Sequence, residues 1–457
     1  MNNLTPQKIA EVAGGIYVGA DSMRNTSIAG AVRDNRDVQP GNLFVCIRGE
    51  RADGHSFADS AFESGAACCL AEQTIPDAKG PYVLVSSTLG ALKIIGGYYR
   101  SLFSIPVVGI TGSVGKTTVK ELIASMLGAK LRVHKTPENL NNEIGVPLTL
   151  LSLNESHEAA VIEMGVSEFG EMSRLAEIVR PDILVMTKIG YSHIETFGDL
   201  SGVLRAKSEV FNFMKPDGTA VLNGDDELLR GYDPGMRKIL FGFGEHNDYR
   251  AENIQTEGTD AVMCDVVYNS GRFPVKVPAY GRHLAGLAPA AAAVGQLLGL
   301  SDDEISLGLR SYSPVSGRAN VTDTGYITII DDCYNANPHS VKAALTSLSR
   351  LPGRHVAILG DMFELGGLAD EQHCYIGALA ARSNVDRLIC CGDKAEIIYN
   401  SYITAGSGDA KYYPGKSELI EDVPKIVTKG DIVLVKASHG MHLEEIIPSL
   451  RLLREEG

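Results

Sequence analysis

From residue 105 to 226 the chain alternates unbroken apolar runs with segments of helical periodicity, and nothing else in the sequence constrains the fold as tightly. IPVVGITG leads into a helix over 117–127. AAVIEMG, PDILVMTKIG and GTAVLNGDD follow, separated by helices near 171–179 and 201–213. A strand that is apolar at every position has no side for solvent, so it belongs in a sheet covered on both faces. Strand–helix–strand connections make such a sheet parallel. The block continues with AVMCDVVY and RFPVKV around Asn269, Ser270 and Gly271, a hairpin turn, and closes on an Ala-rich helix over 288–300. The loop RSYSPVSGR (310–318) interrupts the alternation, which then restarts as GYITIIDD, HVAILGDM, RLICCGD and DIVLVKAS, a second and smaller α/β unit. Upstream lie two short strand-like runs, NLFVCIRG and YVLVSS, and one helical stretch around 56–65. The 457 residues, at roughly 150 per domain, therefore divide into 1–104, 105–312 and 313–457.

Charge narrows the ligands. Lys plus Arg is 42 and Asp plus Glu is 56, a net −14, which disfavours nucleic acid and anionic membranes as partners. An anionic ligand must then be held by locally placed cations, backbone N–H groups or metal ions. The eight cysteines contain no C-x-x-C pair, so zinc-ribbon and thioredoxin-type sites are excluded, and several sit in apolar runs as small hydrophobes. A reducing compartment fits them. The start, MNNLTPQKIAEVAGG, lacks the basic and apolar segments of a secretory signal. The longest uncharged stretch, 284–300, carries Pro289, Gln296 and three glycines and reads as a buried helix, not a membrane span. A cytoplasmic protein without membrane insertion is expected.

The strongest local signal is VVGITGSVGKTTVKELIASML: a buried strand, a Gly-rich turn and an amphipathic helix. The nucleotide-binding stretch is Thr111, Gly112, Ser113, Val114, Gly115, Lys116, Thr117 and Thr118; within it the backbone N–H groups from Gly112 to Thr117 can cradle phosphates at a helix N-terminus, where the helix dipole favours anions. Lys116 would reach the terminal phosphates and the Thr117 hydroxyl a Mg²⁺ ion. The pattern is the compact T-G-x-x-G-K-T form, because Ile110 stands where the strict motif needs glycine.

Glu163 ends the apolar run AAVI, at the carboxyl end of a strand, where open α/β sheets bind ligands. A carboxylate there suits Mg²⁺, and equally a helix N-terminal cap. Taken alone, His193 in GYSHIETFG reads as a structural histidine and Lys207 in LRAKSEVF as a solvated charge. Their order behind the phosphate loop and Glu163 raises both as candidates.

These motifs together resemble the Mur ligase family, ATP-dependent amide-forming enzymes of peptidoglycan synthesis. The matching stretches are TGSVGKTT (111–118), PENLNNEIGVPLTLL (137–151), IEMG (162–165), GYSHIETFG followed seven residues later by AKSEVF (190–211), VLNGDD (221–226) and SGRAN (316–320). The resemblance implies a three-domain α/β architecture: a small N-terminal α/β domain, a central parallel-sheet ATPase domain with the phosphate loop, and a Rossmann-like C-terminal domain. DDCYNANPHSVKAAL (331–345) and AILGDMFELGG (357–367) imply a member that joins D-alanyl-D-alanine to a UDP-N-acetylmuramoyl-tripeptide through an acyl phosphate. The segment 34–66 resembles the UDP-binding domain of such ligases.

The resemblance also implies roles. Lys116 and Thr117 hold ATP phosphates and Mg²⁺; Glu163, His193 and a carbamylated Lys207 hold a second Mg²⁺. Arg318 reaches the ATP phosphates and Asp332 the ribose. Asn141 and Asn142 contact the muramoyl substrate, and Tyr334, Asn335 and Asn337 line the cleft from the C-terminal domain. Asp34, Arg36, Arg48 and Asp53 lie near the uridine diphosphate. A monomer is expected. Two positions depart from the family pattern: Leu287 replaces an asparagine used near adenine, and His439 replaces the arginine of K-G-S-R. Two rival readings remain at this point, a relative that adds a single amino acid and a catalytically silent nucleotide-binding homologue.

Overall fold

In the computed structural model, which describes residues 1, 4–49, 52–406 and 408–454, three sheets carry the chain. The apolar runs of the middle block form the heart of a nine-stranded sheet. Its order is Val133–Lys135, Ala159–Glu163, Val107–Thr111, Ile183–Met186, Thr219–Asn223, Arg237–Gly242 and Tyr249–Glu257, all parallel, followed by the antiparallel pair Ala261–Tyr268 and Gly271–Val277. The pair turns over Asn269 and Ser270, with Tyr268 opposite Gly271, as the sequence predicts.

Burial on both faces is literal. Ala160, Ile162, Leu184 and Met186 enter one core, with the helices Thr88–Ser101, Gly145–Leu151 and Glu171–Val179. Their strand neighbours Val108, Ile110, Val161 and Val185 enter the other, beneath Lys116–Leu127, His283–Leu297 and Asp302–Arg310. Each such aliphatic contributes roughly 1.5–3 kcal/mol on burial, so a one-residue slip of register is strongly opposed. Strand order reverses at Val107–Thr111: the next strand in sequence lies at the far edge on one side, and Ile183–Met186 lies on the other. A crevice opens at the carboxyl end of such a switch point, and the phosphate loop occupies it.

The N-terminal sheet has five strands in the order Ile16–Val18, Tyr82–Leu84, Cys68–Ala71, Asn42–Val45 and Gly30–Val32, with the first antiparallel. Its last helix, Thr88–Ser101, carries Leu92, Ile95 and Tyr99 into the central core and so docks the two sheets. The C-terminal sheet has six, in the order Asn320–Asp323, Thr328–Asp331, Asp431–Lys436, Arg354–Gly360, Arg387–Cys391 and Asp409–Tyr413. All but the first are parallel.

Several boundaries differ from the sequence reading. The helix expected over 201–213 spans Leu200–Ser208 and tightens into a 3₁₀ turn, Glu209–Phe213. There the Glu209 carboxylate accepts the N–H groups of Gly170 and Ser173, capping the neighbouring helix, a tertiary demand invisible to periodicity. The Ala-rich helix begins at His283, five residues early, and ends at Leu297. The stretch 56–65 is a 3₁₀ turn, Gly54–Phe57, followed by the short helix Ala58–Glu63. All eight cysteines are free, and only Cys374 is exposed. Among the described residues no helix is long and apolar enough to cross a membrane.

Candidate active site

The phosphate loop and the C-terminal sheet face each other across a cleft of about 460 Å³. On the central side, Gly112 has φ +142, and a Cβ there would meet the Thr187 hydroxyl at 2.1 Å, so only glycine fits. Gly115, at φ +85, starts the helix Lys116–Leu127. Ser113 ties this loop to the next: its backbone N–H donates to Lys188 O (2.7 Å), and its hydroxyl donates to Gly190 O (3.1 Å) and accepts the Gly190 N–H (2.9 Å). Ser192 Oγ donates to Ser113 O (3.1 Å), so the segment bearing His193 is braced against the phosphate loop.

Lys116 Nζ donates to Gly112 O at 2.9 Å, folded over its own loop. Burial lowers its pKa and the Arg318 charge lowers it further, while Glu163 and Glu364 act the other way. At the next residue, the Thr117 hydroxyl donates to Glu163 Oε1 (3.1 Å), which also accepts from Asn141 Nδ2 (2.7 Å). The Glu163 backbone N–H is held by Thr136 Oγ1 (2.9 Å). Lys207 is buried, and among the described residues its ammonium has no hydrogen bond or ion pair. Burial, then the nearby Lys116 charge, drive its pKa well below the usual lysine range.

The C-terminal side is built on a buried lysine. Lys436 Nζ donates to Asp332 Oδ2 (2.6 Å) and to the carbonyls of Asn335 (3.0 Å) and Asp332 (3.3 Å), fixing the loop 332–335. The other Asp332 oxygen accepts the Ala319 N–H (3.2 Å), which anchors the Arg318 segment. The Arg318 guanidinium lies 3.9 Å over the Tyr334 ring, whose other neighbour is the stacked His439 at 5.6 Å between centroids. Across the cleft, His193 Nδ1 meets Glu364 Oε2 at 2.9 Å, and the Tyr191 ring stacks on His339 at 5.3 Å. His193 itself sits at φ +52. The His193 hydrogen bond, with the charges of His193 and Lys116, holds the Glu364 pKa below the usual carboxylate range.

Three family models match in sequence order: the Mur ligase family catalytic domain over residues 28–94, the Mur ligase middle domain over 110–295, and the Mur ligase glutamate ligase domain over 317–439. The chain belongs to the Mur ligase family. A Bacillus subtilis (strain 168) relative named UDP-N-acetylmuramoyl-tripeptide–D-alanyl-D-alanine ligase is 36% identical over 98% of both chains. An Escherichia coli (strain K12) relative of the same name is 32% identical over the full length of both. Among solved structures, MurF from Acinetobacter baumannii superposes with a TM-score of 0.88 at 29% identity over 98% of each chain. MurF ligase from Thermotoga maritima in complex with ADP superposes at 0.82, with 31% identity over 94% of this chain and 98% of that one.

The Mur ligase motifs converge unevenly on the cleft. Lys116, Thr117, Thr118, Glu163, His193, Lys207, Arg318, Asp332, Tyr334 and Asn335 line it, as do Ser113, Val114 and Gly115. Thr111 and Gly112 lie beneath, buried. Asn142 and Asn337 reach the cleft with their side-chain oxygens engaged: Asn142 Oδ1 accepts the N–H groups of Ile144 and Gly145, and Asn337 forms a capping box with Ser340. Asn141 is turned onto Glu163. Asp34 with Arg36, and Arg48 with Asp53, form ion pairs in the N-terminal domain, outside the cleft. Leu287, in place of asparagine, packs beside Gly115. Sequence reasoning missed Lys120 and Glu364. Lys120 is wholly buried, donates to Thr136 O (2.8 Å) and lies 3.9 Å from Glu163 Oε2.

The donor set suits Mg²⁺. Glu163 Oε2 is buried without a hydrogen-bond partner, and the Thr117 hydroxyl adjoins the same carboxylate, giving hard oxygen ligands. Among the described residues no three His, Cys, Asp or Glu side chains gather into a metal site. A cation here therefore needs Thr117, phosphate oxygens or a modified Lys207 to complete its shell. The depressed pKa of Lys207 favours the neutral amine, the form that can acquire a carboxylate.

Proposed function

We propose that this chain is an ATP-dependent, ADP-forming ligase that joins D-alanyl-D-alanine to UDP-N-acetylmuramoyl-tripeptide in peptidoglycan precursor synthesis. The observation that carries the proposal is the meeting of Lys116, Thr117, Glu163, Lys207 and Arg318 in one cleft faced by the loop 332–335. We further propose domain boundaries near 104 and 312, a monomer, and a cytoplasmic location without nucleic-acid partners.

Forming an amide from a free carboxylate is uphill in water. Transfer of the ATP γ-phosphoryl group to the carboxylate gives an acyl phosphate; the amine then attacks and phosphate leaves. The obstacle is electrostatic, since an anionic acid must approach an anionic phosphate. Lys116 exchanges the Gly112 carbonyl for phosphate oxygens, the backbone N–H groups at the start of the helix Lys116–Leu127 donate to the same group, and Arg318 supplies a second positive charge from the C-terminal side. Thr117, Glu163, His193 and a carbamylated Lys207 would hold Mg²⁺, which would supply further positive charge against the phosphates. Asp332, held by Lys436 and the Ala319 N–H, would take the ATP ribose. The C-terminal sheet closes over the cleft and excludes water from the acyl phosphate.

Phosphate release measured with UDP-N-acetylmuramoyl-tripeptide tests this reading. D-alanyl-D-alanine supports turnover, single amino acids do not, and Lys116→Ala lowers the rate by about 100-fold or more. Normal ligation by Lys116→Ala, or equal turnover with single amino acids, refutes it. ATP binding without any substrate-dependent phosphate release identifies a silent homologue instead.

A further inference from the structure

Four carboxylates line the cleft among the described residues: Glu163, Glu171, Asp332 and Glu364. Three are engaged locally. Glu163 takes Thr117 and Asn141. Glu171 caps the backbone N–H groups of Ser167 and Glu168. Asp332 is held between Lys436 and the Ala319 N–H. Glu364 differs. One oxygen meets His193 across the cleft, and among the described residues the other has no hydrogen bond. Its side chain is half exposed to the cleft, opposite Lys116.

The loop that carries Glu364 is rigidly placed. The Met362 N–H donates to His373 Nε2 (3.0 Å) and the Phe363 N–H to Ser438 Oγ (2.8 Å). Gly366, two residues on, approaches so closely that a Cβ would lie 3.2 Å from the Glu195 side chain of the central domain. Glu364 itself is in the left-handed region, φ +62, an unusual conformation for a residue with a side chain. The C-terminal domain thus extends one free carboxylate oxygen into the cleft on the side that faces Lys116, with Arg318 lining the same cleft.

A cleft that gathers cations for two anionic reactants repels the third reactant, whose amine is an ammonium ion near neutral pH. We propose that Glu364 is the binding group for the ammonium of the incoming dipeptide, holding it on the C-terminal side beside the carboxyl activated at Lys116. This rests on the ligase reading above. A charge-assisted hydrogen bond of this kind is worth roughly a 10- to 100-fold change in affinity when removed.

The test uses the full-length enzyme and the near-isosteric Glu364→Gln. Its KM for D-alanyl-D-alanine rises about 10-fold or more, and Glu364→Asp recovers part of the loss. The burst of ADP formed from ATP and UDP-N-acetylmuramoyl-tripeptide without dipeptide keeps its amplitude, and the Mg²⁺ midpoint of that burst stays in place. D-lactyl-D-alanine, in which a hydroxyl replaces the amine, provides a readout that needs no variant: it inhibits the wild type far more weakly than D-alanyl-D-alanine binds. Glu364→Gln narrows that gap. An unchanged dipeptide KM overturns the proposal, as does equal affinity of the wild type for the amine and hydroxyl compounds. A shifted Mg²⁺ midpoint or a lost burst overturns it too, because the carboxylate then serves the metal or phosphate. If the wild type releases no phosphate with D-alanyl-D-alanine, the ligase reading has failed, and that result is separable from the variant's behaviour.

Discussion

Lys436→Met removes an ammonium whose side chain is 2% exposed while leaving side-chain length nearly unchanged. Three acceptors lose their donor: Asp332 Oδ2 and the carbonyls of Asp332 and Asn335. Breaking one half of a buried ion pair costs about 3–5 kcal/mol, since the remaining charge is stranded. The Asp332 side chain retains 18% exposure and the Ala319 N–H, so water and that bond relieve part of the loss, and the low end, about 3 kcal/mol, applies. For a unit the size of the C-terminal domain this is a fall of roughly 10 °C in its unfolding midpoint. Differential scanning calorimetry reads it directly. Asp332→Asn alone is also destabilising, because it leaves the lysine buried without its counter-charge. Removing both charges in one chain restores much of the loss, so the double variant is less destabilised than the sum of the singles. A Lys436→Met midpoint indistinguishable from wild type, or strict additivity in the double variant, refutes the claim that this pair fixes the loop 332–335.

Lys207→Met stabilises the protein in bicarbonate-free buffer, because burial disfavours the charged lysine. The folded-state pKa lies below the unfolded one, so the unfolded chain binds the extra proton, and stability of the wild type rises with pH across that window. The gain from Lys207→Met is therefore greatest at low pH and fades as pH approaches the ordinary lysine pKa; thermal midpoints across pH check it, and a gain that grows with pH refutes it. Asn337→Ala loses a helix cap and about 1 kcal/mol of stability. Asn337→Asp keeps the cap and restores the midpoint, whereas a residue whose amide served the substrate would not be rescued in this way.

Much of this architecture can be read in advance because its causes are local. Apolar strands announce their burial on two faces, and the turn from Gly112 to Lys116 announces a helix start with inward-facing N–H groups. The positions hardest to read are those whose role depends on something remote or that carry two local cues at once. Asn337 stands before Pro338 and three residues before Ser340, a capping pattern legible in the sequence, within a motif that also puts it on the cleft. Lys436 acquires meaning only when Asp332, more than a hundred positions earlier, is brought beneath it by the parallel pairing of Thr328–Asp331 with Asp431–Lys436. Glu364 gains its significance from a contact with His193 that crosses two domains, and no periodicity encodes that. Lys120 lies only four residues beyond Lys116, but its role is set by Thr136 and Glu163, which reach it from other strands.

The shared use of Ser113 has an evolutionary consequence. One hydroxyl satisfies both polar groups of Gly190, while its own backbone engages Lys188 and Ser192. Drift at position 113 cannot be absorbed by its own loop, because the orphaned groups lie in the segment that presents His193. Positions 113, 188, 190 and 192 form one inherited unit, expected to vary together across relatives or not at all, even though some 75 residues separate the two halves.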